Sequence, residues 1–134
     1  MSQPSVRTAP MRTQLGRVRG HGAGGGTGHF IGQRVSSVAL AVLAPWFAIS
    51  AALSMPDAGY GSVIEFVSQP LNSVGLILLV IVGLYHMSVG MQEVIVDYIH
   101  KPITKAVLLL LNALGPLALG AAAIFAVLRI NFGA

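Results

Sequence analysis

Cysteine is absent from this 134-residue chain, and charge is scarce, at 9% of residues against 54% hydrophobic. Without a thiol the chain can form no disulfide and no thiolate metal site, and it can ligate no iron–sulfur cluster. A soluble globular domain carries roughly 25% charged residues, so the shortage of charge excludes that class. Where acids and bases are missing altogether, the sequence forms three long apolar runs: Ser36 to Met55, Leu71 to Gln92, and Ala106 to Leu128. Each approaches the roughly 20 residues that cross a bilayer core as a helix. Backbone groups in lipid must be satisfied internally, and these runs lack the polar alternation of barrel strands. The expected fold is therefore an all-α membrane protein with three spanning helices, over about residues 36–55, 71–96 and 106–128.

The remaining charges give an orientation. Arg7, Arg12, Arg17, Arg19 and Arg34 precede the first span, Lys101 and Lys105 lie between the second and third, and Arg129 alone falls on the other side. The loop from Pro56 to Pro70 has Asp57 and Glu65 but no base. By the positive-inside rule, the N-terminus and the Asp97 to Lys105 loop face the cytoplasm or matrix. A basic tail beside anionic lipid accounts for the net charge of +4 with no nucleic-acid partner.

Residues 1–28 have almost no apolar clustering, no acid and a glycine-rich end, and are expected to form a flexible basic cytoplasmic tail ahead of an anchor domain over 29–134. The Arg-rich start resembles an organellar transit peptide, but the glycines spoil an amphipathic helix. GAGGGTG lacks the strand before it and the Gly-Lys-Ser/Thr after it that a phosphate loop needs, and reads as a linker. Pro45 should kink or tilt the first span, whereas Gly120 to Ala123 should let a helix approach the third. Asn112 is placed to hydrogen-bond across helices.

The chemistry collects in the second span, at HMSVGMQEVIVDY, His86 to Tyr98. At about 100° per residue, Gly83, Gly90, Glu93 and Asp97 all fall within about 60° of His86, on one face. Glycines above and below the histidine leave a shallow groove that suits either a closely packed helix or a flat planar group. The histidine itself is either an interhelical hydrogen-bonding group or a ligand or proton relay. Glu93 and Asp97 lie near the cytoplasmic end, where ionised carboxylates reach water, and Tyr98 occupies the position of an interfacial aromatic.

The pattern His-x3-Gly-Met-x5-Asp-Tyr, formed by His86, Gly90, Met91, Asp97 and Tyr98, resembles the membrane-anchor D subunits of succinate dehydrogenase, respiratory complex II. GTGHFIGQRVSSVAL, Gly26 to Leu40, is similar to the segment before the first span in that family. The resemblance covers about Gly26 to Ala134. It implies that His86 is an axial ligand to the iron of a b-type haem shared with a cytochrome b556 C subunit, with Gly83 and Gly90 packing the haem. It also implies that Tyr98 hydrogen-bonds ubiquinone, that Asp97 supports that site, and that Arg34 and His29 serve a haem propionate or the quinone mouth. His29 stands where other members carry Asp. The implied partners are the C subunit, the iron–sulfur subunit and the flavoprotein subunit, and the implied site is a bacterial inner membrane or, alternatively, a mitochondrial one. Succinate chemistry would belong to the assembly.

Helix geometry is compatible with those roles. Twelve residues put Tyr98 about 18 Å along the helix from His86 and about 120° around it, so haem and quinone would lie at different depths and on different sides. Two further classes of function remain open: a small transporter using Glu93 or Asp97 as a proton carrier, and a purely structural anchor. The transporter is disfavoured because both carboxylates lie near one membrane end, whereas substrate sites of transporters lie near the midplane.

Overall fold

The computed structural model describes residues 23–133, with side chains from Gly28 onward. It contains four helices, α1 (Ala23–Ser54), α2 (Tyr60–Ser68), α3 (Pro70–Tyr98) and α4 (Pro102–Phe132), and no strand among the described residues. Three of them, over Gly28–Ser54, Pro70–Tyr98 and Pro102–Phe132, are long and apolar enough to cross a membrane. These are the expected spans, extended at their ends. The boundary expected at residue 28 falls inside α1, and residues 1–22 of the expected tail lie outside the described residues.

Proline and glycine set the helix limits. Pro70 and Pro102 open α3 and α4, where the missing N–H has no intrahelical acceptor to lose and the fixed φ already suits a helix. Gly133 closes α4 in the left-handed conformation, φ 67°, with its N–H bonded to the Arg129 carbonyl. Pro45 and Pro116 interrupt the hydrogen-bond ladders of α1 and α4, yet both helices run on through them.

The segment read from sequence as a loop, Pro56 to Pro70, contains the short helix α2. Asp57 starts it: one carboxylate oxygen accepts from the Ser62 hydroxyl at 2.5 Å and from the Gly59 N–H at 2.9 Å. These two bonds, the Ser62 one first, hold the Asp57 carboxyl below its ordinary pKa. Phe66 and Val67 of α2 are buried with Val127 of α4, and Phe47, Ala51, Leu76 and Ile77 pack around them. The last carbonyls of α2 are met by the Gln69 N–H, which donates to Phe66 at 3.3 Å, and by side chains. Asn72 donates to the Phe66 carbonyl at 3.0 Å, and Ser73 donates to that of Val67 at 2.5 Å.

The helix α3 is the centre of the bundle, packed along α1 on one side and α4 on the other. Ser88 and Asn112 clamp α3 to α4 reciprocally: the Ser88 hydroxyl donates to the Asn112 carbonyl at 3.1 Å, and the Asn112 amide to the Ser88 carbonyl at 2.8 Å. Interhelical bonds of this kind in membranes average only about 0.6 kcal/mol, so they set register more than they supply stability. Gly120 faces Leu84 of α3, which is the helix approach expected of the small-residue run. Elsewhere Val38, Val42, Leu53, Leu71, Leu117 and Phe125 stand exposed. A chain with so little enclosed core needs lipid or other subunits around its long helices.

Gly75 lies against the Trp46 ring, where an added Cβ would overlap the indole, whereas a Cβ on Gly115 would meet nothing. Gly75→Ala should therefore destabilise the protein in mild detergent by about 1–3 kcal/mol, the usual cost of overpacking. Gly115→Ala should be neutral or stabilising. Equal unfolding midpoints for the two variants would contradict this packing.

Candidate functional site

One face of α1 meets the polar face of α3. His29, Gln33, Ser36 and Leu40 fall within about 60° of one another around α1. Running antiparallel along α3, Gln33 lies beside Gly90, Ser36 beside His86 and Leu40 beside Gly83. A Cβ on Gly90 would stand 3.4 Å from the Gln33 amide nitrogen, and one on Gly83 would stand 3.9 Å from a Leu40 methyl. Of the two contents foreseen for the groove beside His86, the structure holds the packed helix. Gly83 and Gly90, expected to pack a haem, lie along α1, where an added Cβ at either would make only ordinary van der Waals contact with the ends of Leu40 and Gln33.

That approach brings Ser36, only 4% exposed, into hydrogen bonding with His86, its Oγ 2.9 Å from Nδ1. The same hydroxyl is 3.0 Å from the Gln33 carbonyl oxygen. Nε2 of His86 makes no hydrogen bond to a described residue, and it is not sealed inside the chain. The imidazole is thus held on one nitrogen and open on the other. Gln33 Oε1 is the only buried side-chain acceptor without a donor among the described residues.

The other expected residues are dispersed. His29 reaches α3, with Nε2 3.3 Å from Gln92 Oε1 and Nδ1 3.6 Å from Glu93 Oε1. Arg34 lies about 160° around α1 from Ser36 and stacks over Phe30 at 5.2 Å from the ring centroid. Asp97 and Tyr98 are exposed, Tyr98 to 75%, and neither side chain hydrogen-bonds another described residue. Tyr98 lies at one end of an apolar groove of about 500 Å³ between α3 and α4, which Met87, Met91 and Leu111 also line. Near it, Lys105 donates to the Val96 carbonyl at 2.8 Å and so caps α3. No three His, Asp or Glu side chains gather as a metal site among the described residues.

Residues 6–128 match the family model described as succinate dehydrogenase/fumarate reductase transmembrane subunit. The chain belongs to this family. Three similar proteins, each named succinate dehydrogenase hydrophobic membrane anchor subunit, agree with the assignment. That of Rickettsia bellii is 30% identical over 69% of this chain and 74% of its own, and that of Paracoccus denitrificans is 33% identical over 81% and 83%. The protein from Rickettsia felis is 33% identical over 57% and 64%. No solved structure matches. The family match begins at residue 6, earlier than the Gly26 read from motifs, and takes in His29, Arg34, Gly83, His86, Gly90, Asp97 and Tyr98.

Sequence reasoning passed over Ser36, Gln33 and Gln92, which supply most of the polar contacts to the expected residues. Their signal was helical phase on α1, where His29, Gln33 and Ser36 make a polar stripe in an apolar helix.

Proposed function

We propose that this anchor subunit supplies one axial imidazole, His86, to a b-type haem shared with a cytochrome b556 C subunit, and that Tyr98 meets ubiquinone at the cytoplasmic end of α3. The observation that carries this is the half-satisfied imidazole. A histidine retained only to join α1 to α3 would be served by its Nδ1 bond alone, and a serine or glutamine would do as well. His86 also presents an open Nε2 within a membrane-spanning helix, where an unpaired polar atom is costly. A ring nitrogen bound to the protein, with the other open, is the usual state of a histidine metal ligand. The donor set therefore fits a haem with a second ligand from the partner. Coordinated by two imidazoles, the haem would take up and release single electrons without binding oxygen.

Gly83 and Gly90 leave the surface of α3 shallow beside the imidazole and would pack the haem there. Arg34 and His29, near the end of α1 where the bases cluster, complement anionic propionates or the quinone mouth. Tyr98 would act on quinone by donating its phenol proton in a hydrogen bond to a carbonyl oxygen that gains negative charge on reduction, which stabilises the charged state more than the neutral one. Its exposure leaves it free for a site completed by another subunit, and Asp97 beside it helps fix that site. Electrons would come from succinate through iron–sulfur clusters that this cysteine-free chain does not hold, hence from iron–sulfur and flavoprotein subunits. The membrane is a bacterial inner membrane, with the N-terminus and Lys101 cytoplasmic.

Three measurements test these assignments. His86→Ala, in an assembled complex, should remove or distort the reduced-minus-oxidised haem spectrum; an unchanged spectrum would refute ligation. Tyr98→Phe keeps the ring and loses the donor. It should preserve assembly, haem and succinate oxidation with a water-soluble acceptor, while slowing quinone reduction by roughly 10²–10³-fold, the cost of one lost oxyanion-type donor. Wild-type quinone reductase rates per haem would leave Tyr98 an interfacial residue only. A reporter active only in the periplasm, fused after Ala134, should be active, and its inactivity alongside an active N-terminal reporter would reverse the topology.

A further inference from the structure

Ser36 is a polar residue nearly sealed in the contact between two apolar helices, one of two such buried polar side chains among the described residues. Its back-bond to the Gln33 carbonyl would satisfy its proton, as serines in membrane helices commonly do. That bond does not explain why its oxygen lies 2.9 Å from Nδ1 of the one histidine in the bundle centre. Alanine would fill the same contact with no polar atom to satisfy.

A count of protons gives the reason. A neutral imidazole has one N–H and one lone pair, and a metal takes the lone pair. If Nε2 is the ligating atom, Nδ1 carries the proton and needs an acceptor. Ser36 Oγ is the atom within reach. Its own proton then goes to the Gln33 carbonyl at 3.0 Å, so each donor in the chain His86 Nδ1–H, Ser36 Oγ–H, Gln33 C=O has an acceptor. We propose that Ser36 is the positioning residue of the haem ligand: it accepts the Nδ1 proton of His86, fixes the tautomer and ring angle, and so presents Nε2 to the iron. The assignment rests on haem ligation by His86 as proposed above.

The two flanking contacts make Ser36 the fitting residue at this position. Gln33 against Gly90 and Leu40 against Gly83 bracket the hydroxyl on both sides, and its back-bond to the Gln33 carbonyl ties the short side chain to its own helix. An outer partner of this kind raises the basicity of the ligating nitrogen, favours the ferric state and typically changes metal affinity by 10–100-fold when removed.

The test uses the assembled complex in mild detergent, with Ser36→Ala, Ser36→Thr and His86→Ala compared. Ser36→Ala should lose haem to apomyoglobin with an affinity reduced by about 10–100-fold, and its haem midpoint potential should rise. Ser36→Thr keeps the hydroxyl and should restore both. A merely structural serine would move neither the potential nor the ferric low-spin spectrum. Wild-type retention and potential in Ser36→Ala would overturn the proposal, and so would Ser36→Thr behaving like Ser36→Ala. Should Ser36→Ala not assemble, Ser36→Cys keeps the volume, weakens the acceptor and carries the same comparison. Failure of ligation itself looks different, since His86→Ala would then keep a normal haem spectrum.

Discussion

The contact of α1 with α3 at Ser36 and His86 is the one on which the site depends. Membrane helices gain little from apolar association, because lipid tails are as apolar as leucine, so small residues that admit backbone approach decide where helices touch. Here Gln33 and Leu40 of α1 lie against the two glycines one turn either side of His86, and Ser36 between them meets the imidazole. At Gly32 of α1 an added Cβ would overlap the Tyr85 hydroxyl of α3, so a side chain there would displace the tyrosine ring or the helix.

Polar groups elsewhere follow a similar economy. They gather at helix ends or in reciprocal pairs: Ser73 and Asn131 at the α2 end, Ser88 with Asn112 at mid-helix, and Lys105 on the last turn of α3. Each satisfies backbone groups that lipid cannot. Against that background, among the described residues the open Nε2 of His86 and the unpaired Gln33 Oε1 stand out, and both lie at the contact between α1 and α3. Unsatisfied polar atoms inside a membrane protein are expensive, so they are expected where another molecule completes the site.

The three spans were legible because charge scarcity and hydrophobic run length are properties of single residues and their spacing. Helix α2 was not, since nine residues of mixed character, Glu65 among them, are too few to stand out as a span and read equally well as a loop. Its order comes from Asp57 at one end and from Phe66 and Val67 reaching Val127, a contact between residues far apart in sequence. Groove contents at His86 were undecided for the same reason. Helical phase placed glycines beside the histidine but gave no register for α1, and Ser36 gains its meaning only from that register. Arg34 shows the limit from the other direction: its proximity to His29 in sequence hid the fact that it turns away from the His86 face.

The two faces of α3 separate the two proposed tasks. His86 faces α1, whereas Tyr98, with Met87 and Met91, lines the groove towards α4. Helical phase requires about 120° between these side chains, so no single neighbour can cover both. A haem held beside α1 and a quinone met at the end of α3 would then be reached from different surrounding subunits, joined through one rigid helix. Rigidity matters because electron exchange depends steeply on separation, and a continuous helix of 29 residues fixes that separation in its backbone more firmly than loops would. The reciprocal bonds of Ser88 and Asn112, on the turn after His86, tie that helix to α4 between the two levels, so that neither site shifts along α3 independently of the other.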